Sequence, residues 1–423
     1  MHGAANPRAR KVESVRVLVT SAPNHGHFFP MVPLSWALRN AGHEVLAAVP
    51  EMLVPVASGA GVPTVSIGDV LLEPHENDAP TSQNATDAAL VEHVLDFYVP
   101  LAGATVDRII EIARTWRADV IMHPSWEYAA PIAAAACGIP SLFHSWGLLP
   151  VPQIDEAANA ALAPLRRRLG VDADRPAANL SWVDVCPPSF AEHDLPGGLP
   201  MRYIAYNGSA VLDRWLLEEP SRPRVCVTLG NIPIMGEHDY VVATVLKALS
   251  TLDVEIVVAA ADRLSVAGGL PPNARVEHRL PLSQLLPTCR LSIHHGGAGS
   301  TMTSIVTGLP QLVLPQMCVQ YQHARQVAAV RAGEYLTPEE LNPDAICAAV
   351  IRLLNDPGPV AAIRSLRNQL TRRPSPAEVV QDIERVVAEH HSRTYVSRMV
   401  RDIERVIADH HSRAFLGGKH HDR

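Results

Sequence analysis

The stretch Leu291–Thr301, LSIHHGGAGST, constrains this chain more than any other. Leu291-Ser292-Ile293 reads as the end of a buried strand, Gly296-Gly297-Ala298-Gly299 as a tight turn, and Ser300-Thr301 as the start of a helix. A helix start leaves backbone N–H groups unpaired and carries about half a positive charge. Glycines let an anion come close to that backbone. The hydroxyls of Ser300 and Thr301 add donors, and His294 or His295 adds another. The natural guest is a phosphate or diphosphate, although such a turn also serves simply to pack a helix onto a sheet. The stretch does not match G-x-G-x-x-G, and no G-x-x-x-x-G-K-[ST] loop occurs anywhere, which argues against a P-loop NTPase.

An α/β rhythm surrounds this turn twice. In the first half, Val15–Thr20 is an apolar β-branched run suited to a buried parallel strand. A polar loop holding His25, Gly26 and His27 follows, then a helix opening at Phe29 and a second strand over His43–Val49. This is a βαβ unit, and ligands of such sheets sit at the carboxyl ends of strands, where His25 and His27 lie. Further strands are expected at Val62–Ile67, Ala118–His123, Ile139–His144 and Met201–Tyr206, with helix over Ala88–Trp116 and a mainly helical stretch over Gly147–Leu180. Leu212–Pro223 reads as a linker. The rhythm restarts with strands at Arg224–Gly230, Val254–Ala259, Ala274–His278 and Pro310–Pro315, and a helix at Tyr240–Leu252.

With 423 residues the chain has room for two cores. Hydrophobic residues make up 47%, as in a globular protein. A net charge of −7 argues against a nucleic-acid surface. No uninterrupted apolar run reaches the roughly 18 to 20 residues of a membrane span. The polar first residues lack the apolar core of a secretory signal, so the cytoplasm is the expected location. Six scattered cysteines form no C-x-x-C pair, and buried free thiols are expected rather than disulfides or structural zinc. In the tail, Val379–Arg393 recurs as Met399–Arg413 at an offset of 20 residues, each copy with helical periodicity.

Taken together these residues resemble the family 1 glycosyltransferases of GT-B architecture, and most of all the bacterial enzymes that attach deoxysugars to polyketide antibiotics. The likeness covers roughly residues 15–393. It rests on Leu285-Leu286-Pro287-Thr288-Cys289, on His294–Thr301 with Gly308-Leu309-Pro310-Gln311, on Trp182-Val183-Asp184, and on Met201–Gly208. It implies an α/β fold of two Rossmann-like domains with parallel sheets facing a central cleft. Residues 1–14 would be a disordered leader, 15–215 the acceptor domain, and 216–373 the nucleotide-sugar domain. Residues 374–423 would be C-terminal helices, the first packing back on the N-terminal domain.

The resemblance also implies roles. The donor, expected to be a dTDP-deoxysugar, would rest its diphosphate on Gly297, Ala298, Gly299, Ser300 and Thr301 with His295, its base near Leu280 and its nucleotide close to Gly230. No cofactor is expected. The other partner would be a small-molecule aglycone. A homodimer and an auxiliary activator protein are both compatible with the sequence. An attacking hydroxyl must lose a proton, and a histidine of ordinary pKa suits that base role. Aligning the family's loop by Pro33 and Leu34 puts the base at His27, with His25 as the alternative; either could instead be a loop histidine that bonds only locally.

Two positions depart from the family's pattern. The base-orienting aspartate is replaced by Pro124, with Ser125 or Glu127 as candidate substitutes. The sugar-holding acid before Gln320 is replaced by Val319, which points to a sugar short of hydroxyls, with Gln320 still in reach of it. A C-glycosyltransferase, a non-catalytic auxiliary protein and an epimerase of similar shape are the competing readings. His27 and the glycine turn favour an enzyme over an auxiliary protein.

Overall fold

The computed structural model describes residues 14–70, 86–149, 152–172, 179–192, 197–230, 237–260 and 269–392. Two parallel sheets organise them. The first holds β1 (Arg16–Thr20), β2 (Glu44–Val49), β3 (Thr64–Ser66), β4 (Val120–Pro124), β5 (Ser141–His144), β6 (Asn179–Asp184) and β7 (Gly198–Pro200), in the order β3-β2-β1-β4-β5-β6-β7. The second holds β8 (Arg224–Thr228), β9 (Glu255–Ala260), β10 (Ala274–His278), β11 (Leu291–His294), β12 (Gln311–Val313) and β13 (Gly333–Tyr335), in the order β10-β9-β8-β11-β12-β13. Every strand pairing is parallel, so this is the expected pair of Rossmann-like sheets.

The central strands form where both faces are buried. Val17, Leu18 and Val19 in β1 and Val225, Cys226 and Val227 in β8 are fully covered, each large apolar side chain worth about 1.5–3 kcal/mol. In each sheet the strand order reverses between the first strand and its later neighbour: β1 beside β4, and β8 beside β11. The loops after those strands flank the crevice where ligands of open α/β sheets bind.

Three expectations need correction. Met201–Tyr206 is not a strand. Its alternation of apolar residues buries Met201 and Tyr203, but the Arg202 N–H donates to the carbonyl of Pro374, the returning tail, instead of to a sheet neighbour. The paired residues there are Gly198–Pro200, next to β6, which falls partly in a stretch expected to be helical. Finally, the helical turn after β1 begins at His25, not Phe29, because the Asn24 side chain caps it by accepting from the Gly26 N–H at 2.8 Å.

The halves are tied together. Gln322 donates to Glu192 at 2.8 Å and Gln326 to the Phe190 carbonyl at 3.0 Å. Arg373 pairs with Asp184 at 2.8 Å. The helix over residues 376–392 lies on the first half, with Glu384 on His43 at 2.9 Å and Val379, Ile383 and Val387 in the same apolar core as Val17 and Val45. The second copy of the tail repeat and the leader up to residue 13 lie outside the described residues. One helical run, Ala88–Trp116, is long and apolar enough to cross a bilayer by length and composition. It is a core helix here: Leu101, Val106 and Ile109 pack with Ile121 and Ile132 of the first half.

Candidate active site

A cavity of about 660 Å³ opens between the carboxyl ends of the two sheets. From the second half it takes Gly230, Leu280, His295, Gly297, Ala298, Gly299, Ser300 and Gln320, and from the first His25 and His27. The structure therefore brings together all but one of the sequence-derived residues. Thr301 is the exception. It is wholly buried and does not line the cavity, because it starts the inward face of the helix Ala298–Thr307.

That helix is capped by Gly297 with no side-chain hydrogen bond, so its first N–H groups are left for a ligand. The two histidines before it divide the labour. His294 is fully buried; its Nε2 faces Gln311 at 2.8 Å and its Nδ1 accepts from the Gly296 N–H at 3.0 Å, fixing the turn. His295 lines the cavity, wedged between two glycines. A Cβ would stand 2.7 Å from its ring at Gly230 and 2.4 Å at Gly297. Gln320 caps the helix Cys318–Ala329, its Oε1 accepting from the N–H groups of Gln316 (2.6 Å) and Met317 (3.1 Å). Only its amide nitrogen is left for a sugar. Val319 and Ala298 pack against an apolar cluster of the first half that includes Tyr98, Trp126 and Trp146.

On the opposite wall His27 is enclosed by aromatic rings. The Trp146 ring meets it edge to face at 4.4 Å between centroids, and Tyr98 lies nearly parallel at 5.6 Å. The Tyr98 hydroxyl is 3.3 Å from Nε2 of His27. Nδ1 of His27 is buried without a side-chain hydrogen-bond partner among the described residues. Burial pushes the imidazole down to about 3; nearby His93 adds to this and the Ser125 backbone opposes it. His25 is more exposed and packs edge-on against Phe29 at 5.4 Å. Among the described residues no group of three His, Cys, Asp or Glu is placed to hold a metal.

The sequence matches the erythromycin biosynthesis protein CIII-like N-terminal domain over residues 36–230 and the C-terminal domain of the same family over residues 243–386. The chain belongs to this family. It is a glycosyltransferase of GT-B fold. It is 36% identical to the L-demethylnoviosyl transferase of Streptomyces niveus, covering 90% of this chain and 100% of the relative. It is 34% identical to the 10-deoxymethynolide desosaminyltransferase of Streptomyces venezuelae, covering 89% and 98%. The spinosyn rhamnosyltransferase SpnG complexed with thymidine diphosphate superposes with a TM-score of 0.79 at 31% identity, covering 88% of this chain and 100% of SpnG.

In this glycosyltransferase neither substitute proposed for the missing aspartate serves His27 through its side chain. Glu127 accepts from the Thr20 hydroxyl and from the Ala130 N–H, both at 3.0 Å, and burial raises its carboxyl to about 7. The Ser125 hydroxyl is buried without a hydrogen-bond partner among the described residues. No sequence motif points to Tyr98, Trp126 or Trp146. Trp126 and Trp146 each sit two residues past the carboxyl end of a strand, on the same side of the sheet as the loop of His25 and His27. Trp126 adopts a left-handed backbone, φ 61°, which costs about 1–3 kcal/mol for a bulky residue and is held by its surroundings.

Proposed function

We propose that this enzyme moves a deoxysugar from a dTDP-sugar to a hydroxyl of a polyketide-type or similar aglycone, with inversion, in the cytoplasm. The observation that carries the reading is a single cavity with His27 on one wall and the uncapped helix start with His295 on the other. A hydroxyl bound near Nε2 of His27 attacks the anomeric carbon from the first half. The diphosphate departs toward the second half, where N–H groups and the helix dipole meet its growing charge. A single displacement between opposite walls inverts the anomeric centre. His27 takes the hydroxyl proton as general base.

The relatives' names support a dTDP-deoxysugar donor, since they transfer noviose-, desosamine- and rhamnose-type sugars and SpnG binds thymidine diphosphate. The apolar patch of Val319 against the first half fits a sugar lacking hydroxyls there. The test is a donor screen with mass-spectrometric detection and NMR of the product's anomeric configuration. Preference for dTDP-deoxysugars with inversion supports the reading; preference for UDP-glucose, or retention, contradicts it.

A further inference from the structure

The acceptor side of the cavity is built from aromatic rings. The whole chain has six tryptophans, eight tyrosines and six phenylalanines. Five of these line this one cavity (Phe29, Tyr98, Trp126, Trp146 and Tyr206), so the enrichment belongs to the site and not to the composition. Trp126 and Trp146 meet edge to face at 5.2 Å, and Tyr98 and Trp126 are also 5.2 Å apart. Phe29 and Tyr206 meet edge to face at 5.1 Å. Such walls favour a flat π-system, which can stack and meet ring edges in ways a puckered ring cannot.

On the proposed reading the acceptor loses its proton at Nε2 of His27, and the phenol of Tyr98 already faces that nitrogen. The Tyr98 hydroxyl lies 3.3 Å from Nε2 of His27, with its ring 17° from the imidazole plane. The base it faces is weak. Among the described residues no carboxylate stands behind its Nδ1, Glu127 is engaged by Thr20 and Ala130, and burial holds the imidazole near 3 against the Ser125 backbone. An aliphatic hydroxyl, near water's value of about 15.7, is a poor match for such a base. A phenol, at about 10, improves the proton-transfer equilibrium by roughly five to six powers of ten.

From these observations we infer that the acceptor is a planar phenol, packed against Trp126 and Trp146 and placing its hydroxyl on Nε2 of His27 in place of the Tyr98 hydroxyl. This rests on the sugar-transfer reading with His27 as base. In the step, the phenolic O–H bond breaks and its proton goes to Nε2. The phenolic oxygen forms the bond to the anomeric carbon, and the electron pair of the broken C–O bond leaves on the diphosphate.

The experiment uses the full-length enzyme with dTDP-L-rhamnose and other dTDP-deoxysugars. One acceptor set is planar phenols (1-naphthol, a hydroxyflavone, a hydroxyanthraquinone); the other is macrolactones bearing only aliphatic hydroxyls. Product is read by mass spectrometry and dTDP binding by calorimetry. Phenols should be preferred at least 100-fold in kcat/KM. Trp146→Leu should raise the phenol KM at least 10-fold while leaving the dTDP Kd unchanged. Transfer to the macrolactones with the phenols untouched overturns the inference and leaves the sugar-transfer reading standing. An enzyme that binds dTDP yet glycosylates neither set also overturns it. Failure to bind dTDP at all brings down the underlying reading with it.

Discussion

Gly230 backs directly onto the imidazole of His295: a Cβ there would lie 2.7 Å from Cε1 and 2.9 Å from Nε2 of the ring. Gly230 also has φ 79°, where a side chain costs about 1–2 kcal/mol. Gly230→Ala should therefore swing His295 away from the helix start and weaken dTDP binding at least 10-fold, with a melting temperature only a few degrees lower. Calorimetric titration with dTDP checks this. An unchanged Kd would show that the seated His295 ring does not contribute to nucleotide binding.

The low basicity of His27 has a kinetic signature. An imidazole held near 3 stays neutral from pH 5.5 to 8, so the base is in its working form throughout. The profile of kcat/KM should show no acid limb near 6.5 in that range. A limb between pH 6 and 7 would mean that the base is not the buried imidazole seen in the free enzyme.

Acid should instead attack the fold. Burial lowers His27 to about 3, and His144, His294 and His323 to about 4. Each is protonated more readily unfolded than folded, so the stability it contributes is whole above about pH 6.5 and is lost as pH falls toward 4. The loss is on the order of 1 kcal/mol per histidine per pH unit. Glu127, raised to about 7, works the other way between about 4.5 and 7, and the smaller upward shifts of Asp155 and Glu277 add to it, but the four histidines outweigh them. Melting temperature should drop steeply between pH 6.5 and 4.5. A flat stability curve over that range would contradict these burial assignments.

Val319 tests the sugar pocket. Val319→Asp places a carboxylate where an apolar side chain packs against the cluster holding Tyr98 and Trp126. Turnover of dTDP-deoxysugars should fall at least 10-fold, with fully hydroxylated donors gaining relative to them. A competitive donor assay decides the point, and an unchanged donor ranking would remove position 319 from sugar selection.

Much of this is legible in sequence for a physical reason. β1, β8 and β11 are buried on both faces, so β1 and β8 carry the apolar runs Val17–Val19 and Val225–Val227, and β11 breaks its own only at Ser292 before the histidines and the glycine turn. Those runs locate both sheets, the glycine turn and His27. The outer strands are less visible: β6 carries Asn179, Ser181 and Asp184, and β13 is only Gly333–Tyr335. Arg166 stands in a run of three arginines, Arg166–Arg168, the pattern of a solvated helix face, yet it is buried on the Asn159 carbonyl at 2.6 Å. Tyr98 is out of reach of any local pattern. It closes a π-helical turn, Val94–Tyr98, inside a long helix and meets His27 only through the packing of that helix. The weakness of His27 as a base is likewise a property of what the fold puts around it.

The most direct test of the account compares the wild-type enzyme with His27→Ala under single-turnover conditions, with a dTDP-deoxysugar and an acceptor that the wild type glycosylates. Removing the general base should slow glycoside formation about 10²–10⁴-fold. The dTDP Kd should stay within twofold, because the proposed diphosphate cradle lies on the other wall. A His27→Ala enzyme that forms glycoside at the wild-type rate would contradict the account.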